Sequence, residues 1–133
     1  MPRPQTGLLD TSVVIDLPRL STDDLPSFPT ISAITLAELS LGPQVASDAT
    51  TQQARQLVLQ QAEATFDPLP FDDACARRFA IVATALRNSG RKTRARAFDA
   101  LIAATALAHD LPLYTRNPRD FDGIPAIDVH AVN

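Results

Sequence analysis

Four acidic side chains stand out by where they fall. Asp10 ends the short apolar run Leu8-Leu9, and Glu38 is the one charge in the apolar stretch from Ile34 to Leu41. Asp99 lies in the first turn of an alanine-rich run, and Asp120 follows the apolar Leu111 to Thr115, with Asn117 three residues ahead of it. Each has an ordinary explanation. Asp10 and Asp99 suit helix caps, and Glu38 suits a narrow polar face or a pairing with arginine. A carboxylate set in an apolar helix is nevertheless costly to desolvate unless a partner meets it. Several carboxylates gathered at one place repel each other and shift each other's protonation until a cation neutralises them. Oxygen donors with no His or Cys beside them select hard divalent ions, Mg2+ or Mn2+, over zinc. The two histidines, His109 and His130, fall at a helix end and near the last residues, where a surface position is expected. Cys75 is expected to pack as a small hydrophobe, because no redox or zinc spacing surrounds it.

Whether the four acids meet depends on the elements that carry them. Leu8-Leu9 followed by Asp10-Thr11-Ser12 reads as a buried strand giving way to a helix, from Val13 to Leu17, that Pro18 curtails. The hydroxyls of Thr11 and Ser12 are placed to cap that helix, to hold a second oxygen of Asp10, or to hold a metal-bound water. Ser21 to Asp24 is a second helix start that Pro26 and Pro29 keep short. Thr30-Ile31-Ser32 is a second strand, and Ile34 to Leu41 a mostly buried helix ending at Gly42-Pro43. Asp48 caps a half-exposed helix through Ala62. Phe66 to Leu69 is a third strand by its apolar character. Asp72 or Asp73 caps a helix with Ala76, Phe79, Val82 and Leu86 on its inner stripe, terminated by Asn88-Ser89-Gly90. Ala97 to Ala108 is the strongest helix of the chain, and it places Asp99 on the same inward stripe as Ile102, Ala103 and Ala106. Leu111 to Thr115 is a fourth strand, and Ile124 to Val129 an edge strand that tolerates Pro125 at its start.

Short strands alternating with helices indicate an α/β fold, a small, mostly parallel sheet covered by helices on both faces. Right-handed connections bring the carboxyl ends of its strands to one edge, and there Asp10, Glu38, Asp99 and the Asn117/Asp120 turn converge. The length suits a single domain over residues 1–133. No apolar run approaches a membrane span, no secretory leader is expected ahead of Asp10, and a lone cysteine makes no internal disulfide, so a cytoplasmic protein is expected. A net charge of −3 argues against holding nucleic acid by bulk electrostatics. Yet Arg87, Arg91, Lys92, Arg94 and Arg96 put five of the twelve basic residues within ten positions, and such a patch can bind a polyanion locally or simply form a solvated helix end.

The blocks Leu9-Asp10-Thr11-Ser12, Leu36-Ala37-Glu38-Leu39 with Gly42, Asp99 to Ala104, and Thr115-Arg116-Asn117-Pro118-Arg119-Asp120-Phe121 resemble those of the PIN-domain nucleases. In length and in all four blocks the chain is similar to a VapC-type toxin of a bacterial toxin–antitoxin pair. The resemblance implies the PIN-like three-layer fold and a homodimer. It also implies an endoribonuclease dependent on Mg2+ or Mn2+, inactive under a cognate VapB-type antitoxin that covers the dimer surface and reaches into the acidic groove. Carried over residue by residue, Asp10, Glu38 and Asp99 match the family's firm acids. Asp120 matches the acid before the phenylalanine, while Asn117 stands where some members have Asp and is assigned to a water or metal-water contact. Thr11 or Ser12 completes the shell. On this reading Asp10, Asp99 and Asp120 hold the ion, and Glu38 joins through water or orients the attacking water. Arg116, Arg119 and the run Arg91, Lys92, Arg94, Arg96 contact RNA phosphates.

Two other classes share part of this pattern. A phosphatase of the haloacid-dehalogenase type also places a nucleophilic Asp after its first strand, but needs a second acid two residues on, where this chain has Ser12. A catalytically idle module of the same fold, binding RNA or a partner, would keep the architecture without the chemistry.

Overall fold

The computed structural model describes residues 6–90 and 96–133. Its centre is a four-stranded, fully parallel sheet of β1 (Thr6–Leu9), β2 (Phe28–Thr30), β3 (Leu113–Thr115) and β4 (Val129–Ala131), in the order β2-β1-β3-β4. Five helices surround it: α1 (Thr11–Asp16), α2 (Ala33–Gln44), α3 (Ala49–Thr65), α4 (Asp73–Asn88) and α5 (Ala97–Ala108). Successive strand residues point to opposite faces, and the core divides accordingly. Leu8 and Leu113 join Val82 and Leu86 of α4 and Ala100, Ile102, Ala103 and Ala106 of α5 on one face. Leu9 and Tyr114 join Val13 and Val14 of α1, Leu39 of α2 and Ala62 of α3 on the other. This is the expected three-layer arrangement. No helix among the described residues is long and apolar enough to cross a membrane.

Three elements differ from the sequence reading, each for a backbone reason. The second strand lies at Phe28–Thr30 rather than at residues 30–32, because Ser32 turns away to cap α2, its hydroxyl accepting the Thr35 N–H at 3.1 Å. Pro29 is accommodated because β2 is an edge strand, where a missing donor breaks no ladder. Residues 66–69 form no strand. They make a single parallel bridge, Ser32 to Leu69, with Leu69 N–H on the Ile31 carbonyl at 2.9 Å and Ala33 N–H on the Leu69 carbonyl at 2.8 Å. Pro68 and Pro70 on either side lack the donors that would extend it. The last strand begins only at Val129, because Gly123 and Ala126 take positive φ values of 86° and 66° in turns over the stretch expected to be extended. In addition α2 runs through Gly42 and Pro43 to Gln44. A proline in the last turn removes one hydrogen bond there without stopping the helix.

The histidines are less exposed than surface positions would be. His109 and His130 are both half-buried, and His130 stacks on Tyr114 with ring centroids 4.7 Å apart and Nε2 3.1 Å from Asp128 Oδ1.

Tyr114 also explains why Gly7 can occupy the second position of β1. A Cβ there would stand 2.5 Å from Tyr114 Cε1 and 2.9 Å from Pro26 Cγ, so the ring lies directly on the strand backbone. Gly7→Ala is expected to cost about 1–3 kcal/mol through overpacking, read as a lower midpoint in urea with an unchanged slope. An unshifted midpoint would mean that the tyrosine ring moves aside freely.

Candidate functional site

Asp10 caps α1 directly after β1. Its carboxylate is 5 % exposed and accepts three hydrogen bonds: Oδ1 from the Thr11 N–H at 2.8 Å, and Oδ2 from Ser12 Oγ at 3.0 Å and from Thr115 Oγ1 at 2.8 Å. Cap and ligand were alternatives in the sequence; one position serves as cap here and leaves its remaining lone pairs to the crevice. The parallel register explains Thr115. Leu9 stands opposite Tyr114, so the next residue of each strand meets its counterpart at the carboxyl edge. Burial pushes the Asp10 carboxyl above the usual range, the hydrogen bonds pull it part of the way back, and Asp120 raises it further.

Glu38, on the second turn of α2, is half-buried. Its partner is not a cation but a hydroxyl, with Thr11 Oγ1 donating to Glu38 Oε1 at 2.6 Å. Thr11 Oγ1 also lies 3.0 Å from the fully buried Thr35 Oγ1. Thr11 therefore gives its N–H to Asp10 and its hydroxyl proton to Glu38, linking the two acids. Burial raises the Glu38 carboxyl, the Thr11 bond lowers it, and the Asp10 charge adds to the rise.

Asp99 sits in the first turn of α5. Its carboxyl is pushed up to about 6, first by burial, then by the charges of Asp10 and Asp120, with a smaller push from Glu38; Arg96 opposes the rise. Repulsion of this kind places Asp10, Asp120 and Glu38 near the Asp99 carboxyl. Asp120 is carried by a 3-10 turn (Pro118–Phe121) that the buried Phe121 fastens to the core. It accepts an ion pair from Arg96 at 2.8 Å, and the same guanidinium nitrogen lies 3.6 Å from Asp99. Arg96 thus belongs to the acidic cluster and not only to the basic run.

The remaining expected residues are placed less centrally. Ser12 holds Asp10 and accepts the Arg116 N–H at 3.2 Å. Asn117 is exposed, and its backbone N–H bonds Thr115 Oγ1 at 3.0 Å, so it supports the site through the main chain. The Arg116 side chain pairs with Asp16, beside a shallow recess lined by Ser12, Ile15, Asp16 and Asn117. Arg119 is exposed on the 3-10 turn. Arg91, Lys92 and Arg94 lie outside the described residues. Thr115 and Thr35 were missed by the sequence reading; the strand register is the signal that finds Thr115.

The donor set suits a hard divalent cation, since every polar group on the acids is an oxygen or N–H and neither His nor Cys joins them. The carboxylate oxygens are spread more widely than an ion would hold them directly. Among the described residues the group whose ligand atoms all fall within 4.8 Å of one another lies elsewhere. Mg2+ fits such a spread, because it keeps several waters and takes only one or two carboxylates directly.

Comparison with known proteins agrees with the fold. The family model described as PIN domain matches residues 8–126. Ribonuclease VapC5 of Mycobacterium tuberculosis is 35% identical over 133 residues, covering 95% of each chain. Ribonuclease VapC4 of the same organism is 34% identical over 126 residues, covering 92% of this chain and 94% of its own. A crystal structure described as VapBC-5, a member of the VapBC family of toxin–antitoxin systems from Mycobacterium tuberculosis, superposes with a TM-score of 0.82. It is 33% identical and covers 97% of this chain and 100% of that chain.

The Asp99 shift has a consequence for stability. Its carboxyl titrates near 6 in the folded protein against 3.8 in the unfolded chain, so over that interval the folded state holds a proton that the unfolded state has lost. The metal-free protein therefore loses stability as pH rises from about 4 through 6, on the order of 2–3 kcal/mol. Asp99→Asn is expected to melt above the wild type at pH 8 in metal-free buffer, with the gap closing as pH falls toward 4. A gap independent of pH would contradict the assignment.

Proposed function

The chain belongs to the PIN-domain family, and within it to the VapC-type proteins, and from that premise we propose that it is the toxin of a toxin–antitoxin pair: a Mg2+- or Mn2+-dependent endoribonuclease. The observation that carries this reading is the convergence of Asp10, Glu38, Asp99 and Asp120 on one rim, with the Asp99 carboxyl raised to about 6 chiefly by burial and by its acidic neighbours.

Asp10, Asp99 and Asp120 are the residues to hold the cation. When bound, it supplies positive charge to the scissile phosphate and lowers the pKa of the attacking water. Ser12 and Thr115 keep the Asp10 carboxylate oriented. Thr11 keeps Glu38 directed into the same crevice, where its oxygens can orient the attacking water and take its proton. The acids repel an RNA backbone, so substrate binding needs cations beside them. Arg96 stands at the edge of the cluster, Arg116 and Arg119 flank it, and Arg91, Lys92 and Arg94 precede it in sequence; these are the phosphate contacts.

A cognate VapB-type antitoxin and a second copy of the chain are the proposed protein partners. An apolar groove between α1 and α3, lined by Val14, Ile15, Leu17, Val58 and Phe66, has half-exposed Ile15 at its mouth. That groove suits an amphipathic helix of the antitoxin. Ile81 of α4 and Phe98 of α5 are exposed as well and are the apolar side chains proposed to meet a second copy.

Cleavage of RNA by the purified protein is expected to need Mg2+ or Mn2+ and to stop with EDTA. Asp99→Asn is expected to abolish it with the fold retained, Asp10→Ala to abolish it with the same fold at a lower melting temperature because three donors lose their acceptor, and Glu38→Gln to slow it about 10²–10⁴-fold. Undiminished cleavage by the Asp10 or Asp99 variant, or cleavage indifferent to chelation, would remove this mechanism. Expression without the antitoxin is expected to arrest growth, and harmless expression of active protein would count against the toxin role alone.

A further inference from the structure

A second group of metal-binding side chains lies at the opposite end of α5 from Asp99. Asp72, Cys75 and His109 bring one carboxylate oxygen, the thiol sulfur and one imidazole nitrogen within 4.8 Å of one another. They come from the N-cap and first turn of α4 and the C-cap of α5, two helices packed side by side. Asp99 and His109 are ten residues apart along α5, about 15 Å at the rise of an α-helix, so this group is separate from the acidic rim.

Ordinary structural roles account for part of it. Asp72 caps α4, its Oδ1 accepting the Cys75 N–H at 3.0 Å, and Cys75 is fully buried against the core. Those roles leave His109 unexplained. Its Nε2 is inaccessible to solvent and has no hydrogen-bond partner among the described residues, an arrangement that costs stability unless something meets the nitrogen. The Cys75 thiol makes a weak contact of 3.8 Å to the Pro70 carbonyl and also interacts with the Asp72 and Thr105 side chains. Asp72 is exposed, with one oxygen engaged in the cap and its carboxylate also interacting with the Cys75 side chain and His109.

We propose that Asp72, Cys75 and His109 form a binding site for a borderline transition-metal ion, Zn2+ in the first instance. Sulfur, imidazole nitrogen and carboxylate oxygen together are a zinc donor set, and hard ions prefer oxygen alone. Ligands of a tetrahedral zinc ion stand about 3.3–3.8 Å apart at the usual bond lengths, so side-chain rotation must close the group by about 1 Å. Three protein ligands leave a fourth position to water, on the solvent side where Asp72 lies. Binding converts the thiol to thiolate, its proton leaving to solvent, and ties the start of α4 to the end of α5.

Co2+ in place of Zn2+ tests this, because a sulfur-to-cobalt charge-transfer band appears only when a thiolate is bound. Cys75 is the sole cysteine, so the band reports this site even with the acids saturated by excess Mg2+. Reduced, metal-stripped protein is expected to take up one equivalent of Co2+ with that band, to lose it on adding Zn2+, and to melt at higher temperature with Zn2+ than without. Cys75→Ser is expected to abolish the band. His109→Gln, which leaves the core sulfur in place, is expected to weaken Co2+ binding about tenfold or more while circular dichroism stays native. No charge-transfer band at stoichiometric Co2+, or a band of unchanged strength and affinity in His109→Gln, would overturn the site.

Discussion

The structure depends on burying one carboxylate. An ionised acid at 5 % exposure is tolerated only if hydrogen bonds replace its water, and Asp10 receives three, from the Thr11 main chain and from two hydroxyls. Two of these donors require α1 to start immediately after β1. The third requires β3 to lie parallel to β1 in a single register, since a slip of one residue would turn Thr115 to the other face. The same register seats Tyr114 on the Gly7 backbone and sorts Leu8 and Leu9 into different cores. The order of the central strands, the packing of both faces and the position of Asp10 are thus one constraint met three ways.

Around that carboxylate the chain accumulates negative charge faster than it compensates it. Hydroxyls hold Asp10 and Glu38 in place but carry no charge. Arg96 is shared between Asp99 and Asp120, and Arg116 is held by Asp16, one turn along α1 from Ser12. The imbalance registers at Asp99, where neighbouring acids outweigh Arg96. Arg96 does for the cluster, incompletely, what the proposed divalent ion would do fully.

The architecture and the four acids were legible in the sequence because both rest on local signals. A short apolar run ending on Asp10, an alanine-rich stripe carrying Asp99, and an isolated Glu38 are visible without coordinates, and the PIN resemblance ordered them. The losses came where a single backbone group decides the outcome. Pro68 and Pro70 deny residues 66–69 a ladder, Ser32 prefers a cap to a strand, and turns at Gly123 and Ala126 displace the last strand. Thr115 was overlooked because its contact with Asp10 spans 105 positions, and only strand register reveals such a pair. Cys75 and His109 were read apart for the same reason; sequence spacing recognises a metal site built on one segment, not one assembled from the ends of two helices.

What the fold supplies at the acidic rim can be compared with what the rim requires. Asp10 and Asp99 both stand at helix N-termini, where the partial positive charge of the backbone favours an anion. That effect is worth about 0.3–1 kcal/mol at most surface sites, and α1 has only six residues to generate it. The rise of the Asp99 carboxyl from 3.8 to about 6 corresponds to about 3 kcal/mol at 1.36 kcal/mol per unit. Helix ends and hydroxyls can therefore aim these carboxylates but cannot neutralise them. Burial strengthens the repulsion by excluding water, so a deeper site would need a compensating charge more, not less. The fold holds these acids against desolvation first and against their own charges second, and Arg96 offsets the two only in part, which is the physical basis for reading the rim as a place for an added cation.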